Sequence, residues 1–152
     1  MNNENNNVQY SGGLAHVLES VRSPADIHGL DTLMIVKTFE AFGYSCKPAA
    51  QMRGISGVLH DFDFVCTKLD TGEKIIVQSI LHLNRDPEKI EIEMVKLRLS
   101  TYDCSPEVCL VITDLFTPDL RQMASVYHLV AIDASSGQNV YEQIESLLRL
   151  KA

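Results

Sequence analysis

No apolar run in this chain approaches the roughly 20 residues that span a bilayer, so no membrane-embedded role is expected. The N-terminus, MNNENNNVQYSGG, has no basic segment followed by an apolar one, and a signal peptide is therefore not expected either. Basic residues are the minority, 13 Lys and Arg against 20 Asp and Glu, for a net charge of −7 and a pI near 5.1. That balance argues against a broad non-specific nucleic-acid surface, which would be basic, while leaving room for a local cationic groove. The four cysteines, Cys46, Cys66, Cys104 and Cys109, form no CxxC pair and no zinc-ligand spacing. Cys66 and Cys109 fall in strand-like apolar runs and read as small core residues, so a reduced, cytoplasmic setting is the default expectation. Neither an internal repeat nor an interdomain linker is visible.

The 152 residues are 45% hydrophobic, enough for one domain with a substantial core. Residues 1–13, rich in Asn, read as a disordered tail, and residues 14–152 as a single domain. Leu14, Val17, Leu18 and Val21 have the spacing of a short amphipathic helix, and Ser23-Pro24 offers a second helix start. A stronger helix is predicted from about Asp31 to Phe42, buried through Ile35, Phe39 and Phe42 and closed by Gly43. Tyr44–Ala50 reads as an edge strand whose pairing Pro48 limits.

Leu59–Lys68 alternates, with Phe62, Phe64 and Cys66 expected on one face and Asp61, Asp63 and Val65 on the other. Asp70-Thr71-Gly72 supplies a turn. Lys74–Leu81 is a nearly unbroken apolar run, the mark of a strand buried on both faces, with Gln78 as its polar exception. Glu107–Thr113 and Leu129–Asp133 read as further strands. Thr117-Pro118 opens a helix, and a last helix follows Ser136-Gly137, buried through Val140, Ile144, Leu147 and Leu148.

The segment 87–103 admits two readings. Ile90, Ile92 and Met94 alternate with acids as a half-buried strand would, but the phase slips at Val95. As a helix, capped by Asp86 with Pro87 in its first turn, it carries one apolar stripe at Ile90, Met94, Leu97 and Thr101. A second stripe, Ile92, Val95, Leu99 and Tyr102, lies nearly opposite. The helix is the favoured reading, and a helix apolar on two sides is sandwiched, either within the domain or between the two copies of a homodimer. The acids Glu88, Glu91 and Glu93 read as a solvated face. Antiparallel strands followed by βα units predict an α/β fold, a mixed sheet with helices on both faces.

One pattern carries more. Gly43-Tyr44, then Gly54-Ile55-Ser56-Gly57, His60, Phe62-Asp63 and, on the second hairpin strand, Val77-Gln78-Ser79-Ile80 resemble the Mrr-like branch of the restriction-endonuclease-like PD-(D/E)XK superfamily. The likeness covers most of the chain after the tail. It implies a restriction-endonuclease-like domain with Asp63 and Gln78 as Mg²⁺ ligands and DNA as substrate. A strand repeats its side chains every second residue, so the lysine that activates water in such enzymes belongs two places after Gln78. Ile80 stands there.

An isoleucine moves no proton, and losing a positioned proton-transfer group costs roughly 10²–10⁴-fold in rate. Lys96 is the preferred substitute if the 87–103 helix faces the site; Lys74 and Lys68 are further candidates. Asp61, or less directly Glu40, is the candidate for the missing carboxylate. For contacts to DNA, Arg53, Ser56 and His60 are the nominees. Bland readings stand beside these. Asp63 could be a solvated acid, Gln78 a core amide, His60 and His82 structural residues rather than metal ligands, and Gly54–Gly57 a plain loop rather than a phosphate cradle.

Three function classes follow. One is a nuclease-like domain without catalysis, acting as a DNA-associated or protein-interaction module. Another is a Mg²⁺-dependent endonuclease with a displaced lysine. The last is a small-molecule or regulatory α/β domain.

Overall fold

The computed structural model describes residues 26–27, 29–81 and 83–152. The expected tail, the helix at Leu14–Val21 and His82 lie outside them. So do Ser23 and Pro24, but Asp26–Ile27 just after them are a strand, so no helix runs on from that start. A two-residue pair, β1 (Asp26–Ile27) and β2 (Leu30–Asp31), leads into α1 (Thr32–Glu40), whose first turn is capped by the Asp31 side chain accepting from Met34 N–H. The chain then runs β3 (Tyr44–Arg53), β4 (Leu59–Lys68), β5 (Lys74–Ile80), α2 (Pro87–Cys104), β6 (Val108–Thr113), α3 (Pro118–Val126), β7 (Leu129–Asp133) and α4 (Val140–Lys151).

Strands β3 to β7 form one sheet in sequence order. β3, β4 and β5 pair antiparallel, and β5, β6 and β7 pair parallel. The two parallel connections, through α2 and α3, step in the same direction with the same hand and so share one face of the sheet. Ile90, Met94 and Leu97 of α2 pack there with Leu120 and Ala124 of α3. Ile35 and Phe39 of α1 cover the opposite face together with Val140, Ile144 and Leu148 of α4. The fold is therefore α/β, a five-stranded mixed sheet with helices on both faces. Among the described residues no helix is long and apolar enough to cross a membrane.

The helix starts follow the capping chemistry. Asp86 and Thr117 accept from backbone N–H groups of α2 and α3, each with proline in its first turn. Asn139 caps α4. Gly43 and Gly72 take φ of +85° and +75° in the turns that end α1 and join β4 to β5. The segment 87–104 is helical, and its second apolar stripe faces solvent. β3 is longer than Tyr44–Ala50, because an edge strand tolerates Pro48, which lacks only one donor.

Two expectations are corrected. Phe62 does not share a face with Phe64 and Cys66: it packs under α2, while they pack under α1 and α4. The cause lies on the neighbouring strand. Ala49, which stands opposite Asp63 between the paired couples Pro48–Phe64 and Ala50–Phe62, takes φ +48°, and the hairpin switches faces at that step. Cys46 and Cys66, also directly opposite across β3 and β4, are joined as a disulfide rather than held as free thiols. Cys109 is a buried free thiol, as expected, and burial pushes its pKa up to about 12.

Candidate functional site

The break at Asp63 builds the first part of the site. β4 and β5 pair as a regular ladder only from Thr67–Lys74 to Phe64–Val77. Beyond that point side chains replace the missing backbone partners. Asp63 N–H donates to Gln78 Oε1 at 3.0 Å. In return, Ser79 N–H and the Ser79 hydroxyl both donate to Asp63 Oδ2, at 2.8 and 2.6 Å. The acid and the amide are thus adjacent, and each closes a gap in the sheet. Ser79 is buried, so its N–H needs this acceptor.

Gln78 also lines a cavity of about 150 Å³ between β4, β5 and α2. Asp61, Phe62, Ile80, Glu93 and Lys96 share its wall. The α2 helix therefore does present Lys96 to the cavity that Gln78 enters. The lysine is largely solvated and pairs with Glu93 at 3.1 Å. Asp61 accepts a hydrogen bond from Gln51 Nε2 at 2.8 Å. Asp63 is not part of the cavity wall. Ile80, at the lysine position, is buried in the hydrocarbon beneath α2 and α3.

The other lysines lie elsewhere. Lys74 donates to Thr67 Oγ1 at 3.1 Å and lines a separate groove with Lys47, while Lys68 lies over the Tyr44 ring. Glu40 is exposed at the end of α1, across the sheet from α2.

A Mg²⁺ ion needs several hard oxygen ligands. Among the described residues no three of His, Cys, Asp and Glu stand close enough together to hold a metal, and one oxygen of Asp63 already accepts two hydrogen bonds from Ser79. Asp63 and Gln78 as arranged do not form a site for the ion by themselves, since each is engaged across the sheet.

The loop nominated for DNA contact has a different occupation. Asp103, in the last turn of α2, accepts Ser56 N–H on Oδ1 at 2.9 Å and the Ser56 hydroxyl on Oδ2 at 2.6 Å. His60 Nε2 lies 2.7 Å from the same Oδ2, and Ile55 N–H donates to the Asp103 carbonyl at 3.0 Å. A Cβ added to Gly54 would fall 1.8 Å from Asp103 Oδ2. Glycine is therefore required at 54 by close approach, and the Gly-x-Ser-Gly-x-x-His string reads as a receptor for one carboxylate. Hydrogen bonds from the Ser56 hydroxyl and N–H, then from His60, hold that carboxyl down at about 2. Arg53 Nη1 donates to the Gly57 carbonyl at 2.6 Å across the same turn.

Asp103 is the residue that sequence reasoning missed as more than a helix end. Its only signal is the need of a Gly-Ser-Gly loop for an acceptor, and nothing local points 47 residues downstream.

No family model matches the chain, and no curated protein matches it. Among solved structures, the crystal structure of a protein of unknown function, AF1548, superimposes with a TM-score of 0.52 at 17% identity. The match covers 78% of this chain and 63% of that one, so this chain spans less than two thirds of its neighbour's length. At that identity the likeness speaks to the fold alone.

Proposed function

We propose that this is a restriction-endonuclease-like domain that does not cleave and serves as an interaction module, associating with protein or DNA. The observation that carries the reading is the engagement of Asp63 with Ser79, outside the cavity that Gln78 and Lys96 line. The buried hydrocarbon of Ile80 next to them supports it further. The same arrangement in an active nuclease would leave the acid facing the amide and an ammonium. The expectation of a cytoplasmic setting rests on unpaired cysteines, and the Cys46–Cys66 disulfide removes that argument for it.

The test is incubation of the protein with supercoiled, single-stranded and branched DNA in Mg²⁺ and in Mn²⁺, beside Asp63→Ala and Lys96→Ala. No cleavage above buffer is expected. Cleavage that disappears in either variant overturns the reading. DNA association is read separately, as a fluorescence shift of labelled DNA that weakens with added salt.

A second reading has its own observation: Lys96, Gln78, Asp61 and Glu93 line one cavity. In it, the domain is a Mg²⁺-dependent endonuclease whose lysine comes from α2 and whose carboxylates are Asp61 and Glu93. It requires cleavage that depends on Lys96 and Asp61 and survives Asp63→Asn.

A further inference from the structure

α2 has 18 residues, and its two apolar stripes have opposite fates. Ile90, Met94, Leu97 and Thr101 are buried against the sheet. On the far side, Ile92, Val95, Leu99 and Tyr102 are 55%, 40%, 67% and 73% exposed. Their spacing of three, four and three is the a/d seam of a two-stranded helix pair. A solvated helix needs no such seam; the seam begins one turn after Glu88, and charged residues flank it. Glu91 and Arg98 border one side; Lys96 and Asp103 border the other.

We propose that a second copy of this chain packs its own α2 parallel to the first, seam against seam, to form a homodimer. The proposal rests on the interaction-module reading above and names the partner. Charge complementarity selects both the occupant and its direction. In a parallel pair, each border residue meets the residue five places further on in the partner. Glu91 then faces Lys96 of the partner subunit, whereas the Asp103 carboxylate is already held by Ser56 and His60 of its own chain and adds no second pairing. The two-fold symmetry makes the Glu91–Lys96 pairing twice. An antiparallel pair with Ile92 against Tyr102 of the partner subunit sets Lys96 near its own copy and Arg98 near its own copy, which is repulsive. The seam from Ile92 to Tyr102 is about 15 Å long, in the class of small, transient interfaces.

The experiment is sedimentation equilibrium of the full chain up to about 1 mM, the range of weak association. A concentration-dependent dimer is expected. Leu99→Glu should weaken association about tenfold or more, since it buries a charge in the seam. Glu91→Lys and Lys96→Glu should each weaken it, and the two together should restore it. A chain bearing Leu99→Cys should form a symmetric 99–99 crosslink under mild oxidation, because parallel helices place like seam positions side by side. A monomer at every concentration overturns the proposal. So does a dimer indifferent to Leu99→Glu, or one in which the charge swap restores nothing. Circular dichroism of each variant separates loss of pairing from loss of folding. The nuclease assay stays independent: a monomer that cuts no DNA refutes the dimer alone, and a dimer that cuts DNA refutes only the non-catalytic reading.

Discussion

One oxygen of Asp63 accepts both the backbone N–H and the hydroxyl of Ser79, on the strand beside it. Asp63 returns its own N–H to Gln78, so the side chains of Asp63, Gln78 and Ser79 close a ladder that the backbone alone leaves open. The latch stands where Ala49, with positive φ, interrupts the pairing on the other side of β4. The acid and the amide are therefore adjacent and work as sheet hydrogen bonds.

Asp63→Ala should be a stability variant first. It removes the acceptor of a buried N–H and of a hydroxyl, at a cost of about 1–3 kcal/mol. For a chain of this length that lowers the melting temperature by roughly 2–4 °C per kcal/mol. Asp63→Asn retains one acceptor and should lose less. Thermal unfolding of both by circular dichroism decides it, and an unchanged midpoint for Asp63→Ala would show the latch to be idle.

Gly54→Ala should be costly only while Asp103 is present. The new methyl would lie 1.8 Å from the Asp103 carboxylate, so the loop or the end of α2 must shift. Overpacking of this kind costs about 1–3 kcal/mol. In an Asp103→Ala background the collision is gone, and the same substitution should cost much less. A double-mutant cycle by urea unfolding measures the difference; additive effects would place the strain elsewhere.

These two sites mark where sequence reading stops. Capping pairs such as Asp86-Pro87 and Thr117-Pro118, the turn at Gly72, and the apolar runs of β5 to β7 are local signals, and each element formed where its residues indicate. The face of Phe62 was not legible, because the step that flips it belongs to Ala49 on another strand. Nor was the partner of Ser56: a loop can advertise its donors, but not which distant helix supplies the acceptor. Lys96 was reachable only through the heptad-like geometry of α2, which fixes the side of the helix that turns toward β4 and β5.

The disulfide gives a chemical prediction. Alkylation of the oxidised, denatured protein should tag Cys104 and Cys109 and spare Cys46 and Cys66; after reduction all four should react. In the native state Cys109 should resist the reagent, since burial holds its thiol protonated. Cysteines 46 and 66 are 20 residues apart, and closing a loop of that size stabilises by about 2–4 kcal/mol. Reduction should therefore lower the denaturant midpoint. Peptide mapping that finds four free thiols in air-oxidised protein would contradict the pairing.

Asp103 sets the acid end of the stability profile. Its ordinary value of 3.8 falls to about 2 in the folded chain, first through the Ser56 hydroxyl, then the Ser56 N–H and His60. Between those values the unfolded chain binds a proton that the folded chain refuses. Stability from this group is thus complete above about pH 4, declines as pH falls through that window, and is gone below about pH 2. Asp103→Asn keeps an oxygen for Ser56 but has no proton to gain, so its stability should change less steeply than the parent's between pH 4 and 2. Urea unfolding at steps of pH, with the two proteins compared at each, reads the difference directly. Parallel curves through that window would mean that the carboxylate of Asp103 titrates alike in the folded and unfolded chains, and that Ser56 and His60 do not hold it.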